Sequence, residues 1–178
     1  MVTMMTPKLV EPLVLMFADD GVIPNNPALP FLFFHDVIDF AGSPNPERVI
    51  ETAFRHNGWG NCWRNGISPY VHYHSMIHEA MGIARGRAKV RFGGSGGRDI
   101  DLGAGDAVVL PAGVGHQCLW ADPNLLVIGA YPPGGQYNLC RGSRAEYAAA
   151  LKTIPQVPIP AADPVYGADG PLMRLWRG

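Results

Sequence analysis

The stretch His72-Tyr73-His74-Ser75-Met76-Ile77-His78-Glu79, closed by Gly86, decides how this chain is read. A second stretch answers it: Gly105-Asp106, a short apolar run, Pro111, Gly113 and then His116. Two histidines one residue apart on a strand project from the same face, because side-chain direction alternates with period two. Joined by a carboxylate a few residues on and by a third histidine from a distant strand, they can surround one divalent ion. A mixed imidazole and carboxylate set with open positions suits redox or Lewis-acid chemistry better than a structural zinc site.

Outward from these stretches the chain reads as short strands. Leu13 to Phe17 and Leu32 to Phe34 are apolar runs, separated by an extended arm through Pro24-Asn25-Asn26-Pro27 and Pro30. Asn45-Pro46-Glu47 is a helix start, with a capping Asn, Pro in the first turn and an acid near the positive end. Val49, Ile50, Ala53 and Phe54 form its apolar stripe, and Asn57-Gly58 stops it. Trp59 to Arg64 then leads into Asn65-Gly66, a strong hairpin signal, with Tyr70 to His74 as the return strand. Strands follow over 80–84, 87–92, 98–102, 107–110, 116–120 and 125–131. Each is bounded by Gly, Asp-Pro-Asn or Pro-Ala-Gly. Ser143-Arg144-Ala145-Glu146 is a capping box opening a helix that Pro155 ends. The Pro-rich tail interleaves Val157 and Ile159 and ends in Leu172, Leu175 and Trp176, so it reads as a packed arm. At least eight strands with turns every eight to twelve residues predict an antiparallel sandwich or barrel.

The bulk numbers agree and exclude other classes. At 178 residues one domain is the default. With 14 basic and 15 acidic residues, the chain lacks the footprint of a nucleic-acid binder or a polybasic membrane patch. The 22 glycines and 17 prolines fit tight turns between short strands. No apolar run approaches the roughly 20 residues of a membrane helix. Met1 to Met5 lead to Pro7 and Lys8 rather than to the basic-then-apolar order of a secretory leader. Cys62, Cys118 and Cys140 are odd in number and lack CxxC spacing, so they read as reduced thiols in a cytoplasmic protein.

The two stretches spell HxH, four residues, E, six residues, G, and then G, five residues, PxG, two residues, H. The chain therefore resembles the cupin superfamily. More narrowly, it is similar to the YjlB-like cupin family of small bacterial monocupins. That likeness rests on Pro24-Asn25-Asn26-Pro27, Trp63-Arg64-Asn65-Gly66, Tyr73-His74-Ser75 with His78-Glu79, Pro111 to His116, and Asp163-Pro164-Val165-Tyr166-Gly167. It implies an all-β cupin double-stranded β-helix, a jelly-roll barrel with N- and C-terminal arms and two or three short peripheral helices. Residues 1–178 would form a single cupin domain. Its parts would be an N-terminal arm and helix (1–58), a core barrel (59–131) and a C-terminal helix and arm (132–178). Trp120 departs from the superfamily pattern, which carries Asn there, but that position is not a ligand.

The resemblance implies that His72, His74, Glu79 and His116 bind one divalent transition metal ion: Fe, Mn, Ni, Cu or Zn. Strict alternation instead places His78 with His72 and His74, and Glu79 opposite. Met81 and Ile83 share the parity of Glu79, and an irregular Ser75 to Ile77 would reset it. His78 is thus the alternative ligand, or a neighbour that pairs with the ligand chosen. Tyr70, Met76, Cys118, Trp120 and Arg64 are the candidate pocket-lining residues. Gly93-Gly94-Ser95-Gly96-Gly97 contains GxSxG, but a strand and not a helix follows it, so it reads as a hairpin loop. His35 and His56 read as surface or capping residues. The expected function is a metal-dependent cupin enzyme acting on a small organic substrate, with a dioxygenase first among its reactions and an isomerase next. The alternative is a non-catalytic small-molecule-binding or sensing cupin. A homodimer is expected, since apolar arms flank the barrel at both ends.

Overall fold

Glu79, Met81 and Ile83 alternate with Ala80, Gly82 and Ala84, and this alternation organises the molecule. It is seen in a computed structural model that describes residues 5–178; Met1 to Met4, assigned from sequence to an N-terminal arm, lie outside the described residues. The strand carrying it, β4 (Glu79–Arg85), lies inside a six-stranded antiparallel sheet. The sheet's other strands are β1 (Leu13–Leu15), β2 (Phe31–Phe34), β3 (Gly60–Asn65), β7 (Ala107–Leu110) and β9 (Leu126–Tyr131), in the order β1-β2-β7-β4-β9-β3. A second antiparallel sheet has β5 (Arg87–Phe92) between β6 (Arg98–Gly103) and β8 (His116–Ala121).

The odd-numbered side chains of β4 up to Ile83 point between the sheets. There Met81 and Ile83 pack with Phe31, Val108, Leu110 and Val127 of their own sheet and with Val90, Phe92 and Leu102 of the other. The even-numbered ones are small because helices press on them. Ala80 and Ala84 belong to a second core with Ile50 and Phe54 of α1 (Pro46–His56) and Leu172 and Trp176 of α3 (Pro171–Arg177). At Gly82 a Cβ would lie 2.8 Å from Ile50 Cγ2, so even alanine would force Ile50 to shift. Two facing antiparallel sheets with three peripheral helices give the jelly-roll architecture of the cupin type.

The capping box holds. Ser143 Oγ accepts from Glu146 N, and Glu146 Oε2 accepts from Ser143 N, opening α2 (Arg144–Thr153), which runs into a 3₁₀ turn, Ile154–Gln156. Asn45 precedes α1 as expected, but its side chain makes no cap hydrogen bond. The expected 59–64/70–74 hairpin does not form. β3 pairs with β9, with Trp63 opposite Gly129, and residues 70–74 make only single bridges, His72 with His116 and Tyr73 with Cys140. Asn65-Gly66 closes on itself instead, Gly66 N donating to Asn65 Oδ1. The terminal arms are clasped to the body. Trp176 Nε1 donates to Pro30 O, Trp59 Nε1 donates to Ala162 O, and Tyr166 Oη accepts from Val10 N. Buried Asp163 organises the tail, its carboxylate accepting from the amides of Val165, Tyr166 and Leu172. Among the described residues no helix is long and apolar enough to cross a membrane.

Candidate metal centre

Two pieces of backbone carry the histidines, the irregular segment with His72 and His74 and the turn that enters β8 at His116, and each is held by hydrogen bonds. His72 and His116 exchange both backbone bonds, His72 N to His116 O at 3.2 Å and His116 N to His72 O at 2.9 Å. His74 O accepts from Gly113 N at 2.7 Å. The turn before His116 is fixed from the arm: Asn25 Oδ1 accepts from Gly115 N, and Asn26 Nδ2 donates to Ala112 O. Gly113, at φ 96°, has the conformation L side chains avoid, and a Cβ there would lie 2.4 Å from Asn25 O. The bend at Ser75-Met76 breaks the strand before β4, so the parity of His72 and His74 is not carried through to Glu79.

Each of the three imidazoles turns Nδ1 to a backbone carbonyl: His72 to Tyr70 O, His74 to Asn138 O and His116 to Val114 O. A carbonyl only accepts, so Nδ1 carries the hydrogen and Nε2 presents its lone pair. One ligand atom from each histidine lies within 4.8 Å of the other two, and all three residues are buried. Glu79 Oε2 lies 3.2 Å from His74 Nε2 and 3.5 Å from His116 Nε2, yet has no partner in hydrogen-bond geometry. Three imidazole nitrogens thus converge, and the Glu79 carboxylate oxygen lies beside two of them. That oxygen is fully buried without a proton donor, a costly arrangement unless a cation occupies the centre. The set fits a divalent transition ion.

The electrostatics agree. Burial pulls the His116 pKa down to about 3, with the His72 imidazole adding to the effect. Burial also lowers that of His72. Both are neutral at pH 7, the form that ligates metal. Burial acts against charge on His74 too, but the Glu79 carboxylate outweighs it and raises the pKa. Burial alone would raise the pKa of Glu79; the three histidines, His74 foremost, hold it below the usual carboxylate range.

His78 lies elsewhere. Its Nδ1 accepts from Ala112 N, its ring packs 4.8 Å from that of Trp176, and burial depresses its pKa to about 4. It is on the helix side of the sheet, with Ala80, and faces away from the three-histidine cluster.

A cavity of about 350 Å³ opens from His72, His74, Glu79 and His116 to solvent. Of the five candidate pocket residues only Arg64 is on its wall, and there the guanidinium is already engaged by Glu51, at 2.7 and 3.1 Å. The other four lie off that wall. Tyr70 stacks beside His72 under Arg141, and Met76 lies in the bend, its carbonyl accepting from Gln136 N. Cys118 turns its thiol to Trp120 O, and Trp120 lines a separate surface hollow with His35 and Arg87. Strand parity misplaced them because residues 70–76 are not strand and because β8 shifts register against β5 between Lys89 and Val90. The wall is instead Trp63, Ile67, Tyr131, Tyr137 and Leu139. Parity along β9 could have found Tyr131, which follows Val127 and Gly129 inward. Tyr137 sits on a loop that no periodicity describes. His35 is a surface residue as expected, though it has a partner, Asp106 Oδ1 at 3.0 Å.

Facing sheets with this pair of motifs at one end define a cupin-type protein. No family model matches the sequence. The uncharacterized protein YjlB of Bacillus subtilis (strain 168) is 42% identical over 160 residues, spanning 90% of this chain and 93% of that one. The chain belongs to the YjlB family. Solved structures that resemble it do so weakly. Acireductone dioxygenase from Bacillus anthracis, with cadmium ion in its active centre, matches 49% of this chain and 60% of its own, at 18% identity and TM-score 0.36. RmlC from Streptococcus suis in complex with dTDP-D-xylose matches 73% and 77%, at 12% identity and TM-score 0.38. At such scores the likeness says nothing of activity.

Proposed function

We propose that the chain is a metal-dependent enzyme acting on a small organic substrate, an oxygenase in reaction type, with His72, His74, Glu79 and His116 as ligands of one transition ion. The observation that carries this reading is the orphaned Glu79 Oε2 among three imidazoles whose Nδ1 atoms are all anchored outward. Three imidazoles and one carboxylate favour Fe, Mn, Ni, Cu or Zn over Mg or Ca. Such an ion supplies Lewis acidity and, where redox-active, chemistry with dioxygen. The protein's own part is to keep His72 and His116 neutral, to hold Glu79 ionised, and to shield the centre with the Trp63, Tyr131 and Tyr137 rings. The same reading treats residues 1–178 as one cytoplasmic domain that pairs as a homodimer.

Protein purified without an affinity tag is expected to carry about one such ion per chain. His74→Ala and His116→Ala should each abolish stoichiometric binding. Metal-loaded wild type should consume dioxygen with a member of a panel of small organic acids and phenols. Full metal occupancy in either mutant contradicts the ligand set. A metal-free protein that binds a small acid or sugar tightly without consuming dioxygen would make it a non-catalytic binding cupin.

A further inference from the structure

The cavity's hydrogen-bonding and charge pattern restricts what can enter it; the restriction rests on the metal reading above. Trp63 and Tyr131 are joined, Trp63 Nε1 donating to Tyr131 Oη at 3.0 Å. Indole is a donor only, so the phenol oxygen acts as acceptor in that bond and its single proton must be given elsewhere. The Tyr131 ring stands 6.3 Å from that of His74, and Glu79 lines the same cavity, so the proton is directed to the centre the histidines surround.

Three local features build this arrangement. β3 shifts register between Gly60 and Trp63, with Asn61 at φ 49°, and the shift sets the direction of the Trp63 side chain. Opposite Trp63 stands Gly129, where a Cβ would lie 1.9 Å from Trp63 Cε2. The indole therefore lies flat across bare backbone of β9, two residues before Tyr131. No other residue type at 129 would leave it room.

Charge sets the second restriction. Among the described residues, Arg64 is the one permanently cationic side chain on the wall, and its charge is offset by Glu51, which takes the Nε–Nη2 edge of the guanidinium. Beyond the centre the wall is mainly aromatic and aliphatic, with Trp63, Ile67, Tyr137 and Leu139, and its uncharged polar side chains are Asn65 and Ser68. Asn65 and Ser68 can hydrogen-bond an oxygen, but no cation there is free of a counter-charge, so a phosphate or a second carboxylate would be desolvated without a neutralising charge.

We infer that Tyr131, oriented by Trp63, is the hydrogen-bond donor to a ligand oxygen at the metal centre, and that the site takes a compact molecule with one anionic or carbonyl oxygen end and a flat, apolar, uncharged body. Phosphorylated compounds and dicarboxylic acids are disfavoured.

The test uses the full chain loaded with one equivalent of Co(II), followed by its visible spectrum and by calorimetry, with benzoate, inorganic phosphate and succinate as probes. Benzoate is expected to bind and shift the cobalt spectrum, while phosphate and succinate bind at least about tenfold more weakly. Tyr131→Phe should weaken benzoate by about tenfold or more, with Co(II) affinity and melting temperature unchanged. Trp63→Phe, which leaves the Tyr131 proton free to turn, should weaken benzoate in the same direction; it serves if Tyr131→Phe fails to fold. Wild-type affinity for benzoate in the folded variant overturns the role of Tyr131. Equal binding of phosphate or succinate overturns the ligand class, and a cobalt-loaded protein blind to benzoate overturns both. A wild type that takes up no Co(II) overturns the metal reading itself.

Discussion

At the scale of single residues, chemistry follows from which nitrogen of each histidine is tied down. His72, His74 and His116 spend Nδ1 on a carbonyl and keep Nε2 for the centre; His78 accepts an amide proton at Nδ1 and buries Nε2 without a partner. His78 is therefore held neutral. Its pKa is depressed by burial to about 4, so the unfolded chain takes up a proton first as pH falls. Its contribution to stability is complete above about 6.5 and is lost as pH drops through the window to about 4, by about 3 kcal/mol at most. Imidazole NMR of the metal-free protein should show His78 neutral at pH 5, and a midpoint near 6.5 would contradict its burial. The sequence made His72, His74 and His116 legible because their spacing is local or ends a recognisable turn. It left His78 against Glu79 open, because that choice depends on a two-residue bend, Ser75-Met76, and bends have no period.

At the scale of elements, β4 works because its two faces have different sizes. The inward face carries Glu79, Met81 and Ile83; the outward one carries Ala80, Gly82 and Ala84, on which α1 lies. Gly82→Val should force Ile50 and Phe54 apart and cost about 1–3 kcal/mol. Urea denaturation would measure this, and an unchanged midpoint would mean that α1 is not pressed on the sheet as described. Helix starts and most strand limits were legible, since caps and turn residues act over three or four positions. The partner of β3 was not. Asn65-Gly66 promises a local hairpin, but the strand's hydrogen bonds go to β9, more than sixty residues on. Helix α3 was read only as an apolar tail, because seven residues beginning Pro171 carry too little pattern to separate a helix from an extended arm.

At the scale of the molecule, the arms are structural. Tyr166, Trp176 and Trp59 tie the tail to the N-terminal arm and to the body, while Asn25 and Asn26 on the arm hold the turn that delivers His116. The centre is thus built by chain segments that meet only once the whole domain has folded. Sequence spacing named the chemistry of the site but could not supply the cavity wall beyond it. The most direct test is an anomalous scattering map from crystals of the metal-loaded protein, recorded across the metal's absorption edge. One peak per chain is predicted, with Nε2 of His72, His74 and His116 and a carboxylate oxygen of Glu79 each about 2 Å away. A peak outside that cluster, or one ligated by His78, would contradict the account.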